Sequence, residues 1–150
     1  MPDKIPESVT DAVQPVIEND NLMDCIRKSS YELTEGIPQG TVMGVIKISS
    51  SDPGEAEFAE EQLIYFLVQN GKYRIVERKD LDIIRTEQNF QLSGDVDDET
   101  AVSIGKMAGA EIVITGTILP FGMDKYLNLR ALDVQTAQIR SVSSRQFTPF

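Results

Sequence analysis

Leu22, Cys25, Ile26, Ser29 and Leu33, mostly apolar, recur at three- and four-residue spacing. That spacing predicts an amphipathic helix to about Thr34. Asn21 offers the N-cap, Asp24 suits the first turn, and Gly36 and Pro38 close it. Thr41 to Ile48 then forms a nearly continuous apolar, β-branched run, as expected of an interior strand covered on both faces. After Ser49–Ser51, the run Asp52-Pro53-Gly54-Glu55 is a strong helix start: Asp52 caps, Pro53 fits the first helical position, and Glu55 can complete a capping box. This second helix is expected to reach Gln69, with Ala56, Ala59, Leu63, Phe66 and Leu67 inward and Asn70-Gly71 at its end.

Tyr73 to Arg78 reads as a short second strand, and Leu81, Ile83 and Ile84 begin a third helix that ends near Asn89. Leu92 to Asp95 reads as loop. Asp95, Asp97, Asp98 and Glu99 open a fourth helix carrying Val102, Ile104 and Met107, and Gly109 closes it. Glu111 to Leu119 is a third strand. Lys125–Val134 and Gln138–Phe147 alternate like the two arms of a half-exposed antiparallel hairpin. The order is α-β-α-β-α-α-β-β-β. Short crossovers demand parallel, right-handed pairing first, and the last three strands form a meander. The prediction is a single-domain α/β (α+β) fold: a mixed sheet of about five strands packed with about four helices. Residues 1–20 hold five acids against Lys4, with Pro2, Pro6 and Pro15, and are expected to be an acidic flexible arm before a domain at 21–150.

The chain of 150 residues, formal charge -10, suits one domain. It has no histidine and one cysteine, which removes Ser–His–Asp and Cys–His catalysis, His-ligated metals and an internal disulfide. The acidic balance argues against nucleic acid. No apolar run is long enough to span a bilayer. The acidic start of the chain is unlike an export signal, which leaves a cytoplasmic protein or a trimmed exported one as the two expectations. Cys25 lies on the apolar stripe and is expected to be a buried thiol.

Candidate chemistry is sparse, and no catalytic, cofactor or metal residue is assigned. Ser49–Ser51 lies where α/β sheets take ligands. However, Asp52, Glu55 and Glu57 crowd the following helix start and would repel a phosphate. Gly105-Lys106 lacks the rest of a phosphate loop, so Gly105 reads as a packing glycine and Gly109 as a helix cap. Asp95, Asp97 and Glu99 lack the glycine and final glutamate of a calcium loop. From Lys125 onward Lys125, Arg130, Arg140 and Arg145 stand against Asp133. They form either a basic edge for an acidic partner or second copy, or a charged outer face guarding an edge strand.

One ordered series carries a resemblance: Val76-Glu77-Arg78, Leu81-Asp82, Glu87-Gln88-Asn89, Ser93-Gly94, Ile104 to Ala110 (IGKMAGA), and Ile114-Thr115-Gly116. Over roughly residues 41–137 the chain resembles the curli-assembly component (CsgG-like) family, including the LpoB-like lipoprotein activators of penicillin-binding proteins. The resemblance implies a periplasmic, outer-membrane-associated domain acting by protein contact rather than catalysis. The curli branch forms a secretion ring with inserted transmembrane hairpins. The short connections here lack such an insertion, which favours the soluble activator layout. The signal and lipid-bearing cysteine of that layout are missing from the chain as given. Gly94, Gly105, Gly109 and Gly116 read as turn, packing, cap and bulge glycines. Arg78, Glu87, Gln88, Asn89 and Gln91, with Arg130 and Arg140 on the hairpin, are the candidate protein-binding residues: either they hold the loop after the third helix or they form a recognition surface. The expected function is docking to an envelope partner. The alternatives are a subunit of a secretion ring, with homo-oligomers, and a small-ligand or nucleotide sensor.

Overall fold

The computed structural model describes residues 20–88 and 96–149. Its elements follow the predicted order: α1 (Leu22–Thr34), β1 (Val42–Ser49), α2 (Pro53–Asn70), β2 (Arg74–Ile75), α3 (Arg78–Glu87), α4 (Asp98–Ala108), β3 (Ile112–Phe121), β4 (Asp124–Asp133) and β5 (Ile139–Phe147). The five-stranded sheet runs β2-β1-β3-β4-β5. β1 pairs in parallel with β2 and β3, and β3, β4 and β5 follow antiparallel. The mixed-sheet α+β class is therefore as expected. The acidic arm lies outside the described residues except for Asp20, as do Asn89, Gln91, Gly94 and the loop Leu92–Asp95.

Local chemistry sets the helix boundaries. Asn21 Oδ1 accepts from the Asp24 amide at 2.8 Å, and the Asp24 carboxylate returns a bond to the Asn21 amide, a reciprocal capping box. Asp52 Oδ1 accepts from the amides of Gly54 and Glu55, with Pro53 in the first turn. Glu55 does not complete a box there. Its carboxylate instead takes the Ser50 hydroxyl at 2.8 Å and the Lys125 ammonium at 2.9 Å, stronger donors than a capping amide. Gly71 and Gly109 each end a helix at φ 76°, a conformation open to glycine.

Three boundaries differ from the sequence pattern. β2 is only two residues long, since it pairs with β1 solely at Val42 and Met43. Arg78 is therefore not in a strand; it starts α3, three residues earlier than Leu81. β3 runs past Leu119 to Phe121. On α4 the buried line is Ala101, Ile104 and Gly105, which leaves Met107 half exposed rather than inward.

Two cores flank the sheet. The larger joins α1 and α2 to it through Cys25, Ile26, Leu33, Leu63, Leu67 and Phe147, among others. The smaller sits under α3 and α4, with Ile46, Leu81, Ile104, Val113, Leu132 and Val134. The one register irregularity of β1 falls between Val45 and Lys47, at Ile46. Alternation from Val45 puts Ile46 in the small core, and the bulge returns Ile48, two residues on, to the large one. It is not at Gly116, which pairs regularly with Leu129. Gly116 is glycine for another reason: a Cβ there would run into the Leu129 side chain and the Asn128 carbonyl. Gly105 is a packing glycine, since its Cβ would strike Val113 and bring α4 off the sheet.

Length decides what stays bare. α3 and α4 have 10 and 11 residues, about 15 Å each. β3 and β4 have 10 residues each, about 33 Å. No described helix covers the second half of that sheet face, from Thr117 to Phe121 and across to β5.

Candidate partner-binding surface

Arg78 is bonded to α2. Its Nη2 donates to Glu60 Oε1 at 2.9 Å, and Nη1 reaches Glu61 at 3.5 Å. Glu60 is 5% exposed, and its other oxygen accepts the Ile48 amide at 2.7 Å. Arg85, two turns along the same helix face, bonds Asp82 at 3.3 Å. Its Nε is buried with no partner among the described residues, and burial pulls its guanidinium down from the ordinary value. Glu87 and Gln88 are exposed at the far end of α3 and are not brought into this cluster. Asn89 and Gln91 lie outside the described residues.

The hairpin cations are all tied to the body. Arg130 forms a two-point pair with Asp98, at 2.6 and 3.2 Å. Arg140 donates to the Gly36 carbonyl at 3.2 Å. Lys125 pairs with Glu55 at 2.9 Å, and Arg145 with Glu32 at 2.8 Å. Burial works to raise the Glu32 carboxyl, but hydrogen bonds from Arg145 and Ser143 hold it below its ordinary value. The basic charge of the hairpin is thus largely balanced by helix acids.

A cluster of exposed apolar side chains lies elsewhere, at the β3–β4 tip. Strand β3 ends Leu119-Pro120-Phe121, and Gly122 at φ 63° allows a two-residue turn into Asp124. Leu119 is 52% exposed, Phe121 73% and Met123 94%. The Phe121 and Tyr126 rings meet edge to face at 6.0 Å. Together with Leu119 and Pro120 they line an open depression of about 340 Å³. Polar bonds hold its floor rigid: Tyr126 hydroxyl to Gln146, Gln146 amide to Asp124 at 2.5 Å, and Ser144 hydroxyl to Asn128 at 2.5 Å. Val142, more than half exposed, extends the same face on β5. The signal for this patch was the turn itself, Pro120-Phe121-Gly122-Met123, which is apolar where hairpin turns are usually polar.

Among the described residues, no three His, Cys, Asp or Glu side chains gather to hold a metal. Burial, then the charge of Asp20, pushes the Cys25 thiol up to about 11. Its Sγ donates to the Gln146 carbonyl at 3.3 Å. No described helix is long and apolar enough to cross a membrane.

The model of the curli production assembly/transport component family, CsgG, matches residues 49–126, from the end of β1 into β4. The chain belongs to the CsgG family. Among solved structures it is similar to the LpoB C-terminal domain from Salmonella enterica, 18% identical, with a TM-score of 0.74 over 86% of this chain and 99% of that one. The LpoB C-terminal domain from Escherichia coli is 19% identical, with a TM-score of 0.73 and the same coverage. The lipoprotein GNA1162 from Neisseria meningitidis is 12% identical, with a TM-score of 0.53 over 73% of this chain and 80% of that one. These likenesses establish a shared fold. A search of curated proteins gives no match. The CsgG match includes both Arg78, which begins α3, and the apolar β3–β4 tip.

Proposed function

We propose that this CsgG-family chain is a non-enzymatic cell-envelope interaction domain of the penicillin-binding-protein-activator type, which docks to an envelope protein. The carrying observation is the exposed apolar tip of Leu119, Phe121 and Met123 on a rigid hairpin. Exposed, clustered apolar side chains of this kind favour a protein contact. Family membership and the LpoB-like fold support the envelope setting, on the periplasmic face of the outer membrane. In this reading residues 1–20 are the acidic arm and 21–150 the docking body. Arg78 preserves the body, and the tip makes the contact.

The mechanism is rigid presentation. Phe121 is backed by Tyr126, so little side-chain freedom is lost when a partner closes over it. The test is binding of the full chain to the peptidoglycan-synthesising penicillin-binding proteins of its own cell, by surface plasmon resonance. The double variant Phe121→Ser, Met123→Ser should weaken binding by about a hundredfold, within the range of two interface hot spots. Equal affinity of variant and parent would remove the tip from the interface. Absence of binding to any such synthase would sink the activator reading. Light scattering then separates a monomer near 16.7 kDa from the closed multimer that a secretion ring requires.

A further inference from the structure

We propose that a second site, one row inward from the apolar tip, binds a small oxyanion: a phosphate or carboxylate group. The site is a cavity of about 160 Å³ beside the C-terminal end of β1, against the middle of β3 and β4. Open α/β sheets take polar ligands at that end. The volume equals about five water molecules at roughly 30 Å³ each, enough for one oxyanion and its first waters.

The lining is rich in donors. Lys47 comes from β1, Thr115 and Thr117 from β3, and Asn128 and Arg130 from β4. No carboxylate lines the cavity among the described residues. The Asn128 carbonyl oxygen already accepts from Ser144, which turns its amide NH₂ free as a donor. Arg130 is paired with Asp98 outside the lining, whereas Lys47 has no ion-pair partner among the described residues. Among the described residues one positive charge, that of Lys47, is therefore unbalanced at the cavity.

The decisive group is Thr115. It is 3% exposed, it lines the cavity, and its Oγ1 has no hydrogen-bond partner among the described residues. A buried hydroxyl without a partner is costly, and valine would fill the same shape without that cost. A donor waiting beside an uncompensated lysine suits an acceptor-rich anion. Ordered water would satisfy the hydroxyl but would not balance the charge. The bulge at Ile46 matters here too, because it keeps Lys47 on this face between Ile46 and Ile48, which serve opposite cores. This site differs from the Ser49–Ser51 edge, where Asp52 and Glu55 stand in the way.

The test is a titration of the ¹⁵N-labelled full chain with inorganic phosphate, acetate and, as control, chloride at constant ionic strength. Saturable shifts of the Lys47, Thr115, Thr117 and Arg130 amides are expected with an oxyanion and not with chloride. Phosphate alone would mark a phosphate ligand; acetate as well would mark a general oxyanion site. Thr115→Val and Lys47→Gln should each weaken binding at least about tenfold. Thr115→Val keeps the side-chain shape, so it reports binding even where Lys47→Gln unfolds. Without phosphate its melting temperature should equal or exceed that of the parent, and phosphate should raise only the parent. No saturable shift, identical shifts with chloride, or full binding by the valine variant would each overturn the site.

Discussion

Arg78 holds Glu60 at 2.9 Å on one carboxylate oxygen, and the Ile48 amide holds the other at 2.7 Å. One buried acid thus ties the first turn of α3 to the last residues of β1, through α2. Removing Arg78 leaves Glu60 in the interior with a single donor. A buried charge that loses its partner costs about 3–5 kcal/mol, and the partial exposure of Arg78 reduces this. Arg78→Ala should therefore lower stability by about 1–3 kcal/mol in urea unfolding at an unchanged m-value. Glu60→Gln, which can still accept the Ile48 amide, should cost less than Glu60→Ala. Equal costs for the two would show that the amide bond contributes nothing.

The two close-packed glycines should respond differently to a second substitution. Gly105→Ala forces a methyl group onto the Val113 side chain, an overpacking worth about 1–3 kcal/mol. Val113→Ala makes room, so the double variant should recover part of the loss. Gly116→Ala meets the Asn128 carbonyl as well as Leu129. Leu129→Ala should recover less there, because the backbone stays in place. Thermal melts of the two double cycles measure the contrast.

The apolar tip should carry binding without carrying the fold. Phe121 and Met123 are mostly in solvent, so the Phe121→Ser, Met123→Ser variant should keep its stability within about 0.5 kcal/mol per site. A large fall in its melting point would move the tip into the folding core and out of the docking account.

Stability should fall at both ends of the pH scale for different residues. Cys25 has a folded pKa near 11, above the roughly 8.5 of a free thiol, because of burial and then Asp20. Its contribution is complete below pH ~8.5 and is lost as pH rises toward 11. Cys25→Ala should flatten that alkaline loss, and at neutral pH a thiol reagent should react with the parent only as fast as it opens. On the acid side, Asp97 is held low by hydrogen bonds from the Thr100 hydroxyl and amide. Its contribution is present above the ordinary aspartate range, about 3.9, and lost as pH falls through the folded value. Asp97→Asn keeps an acceptor for the Thr100 amide and should lose that acid slope. Denaturation midpoints across pH would check both.

The order of elements was legible because periodicity and punctuation agree along most of the chain. Asn21, Asp52, Gly71 and Gly109 mark helix ends by chemistry that acts within a few residues. What escaped depends on neighbours far along the chain. Glu60 is one of several glutamates along α2 with no local mark of burial, and only Arg78 and the end of β1 make its burial tolerable. Glu55 fits a local box, yet Lys125, 70 positions away, takes its carboxylate. The hairpin cations could be either a basic edge or a charged outer face, and only the helix acids opposite them, far along the chain, show how they are paired. The tip was hidden by an interrupted pattern, where Pro120 and Gly122 look like the end of a strand rather than its continuation. Thr115 is unremarkable as a strand residue and acquires meaning only across from Lys47 and Arg130.

The contact of α1 with β5 has a consequence for how the chain is made. Cys25 bonds the Gln146 carbonyl, 121 positions later, and Ser29 meets the Ser143 hydroxyl across a gap of 114. On the ribosome the first helix emerges long before the strand that covers it, so its apolar stripe waits exposed through most of synthesis. Loss of the last ten residues would strip the cover from a helix at the opposite end of the sequence. Asp20 and Thr148 share a backbone hydrogen bond, so a circular permutant that joins the domain there, with new termini in an exposed turn such as Gln135–Gln138, should fold.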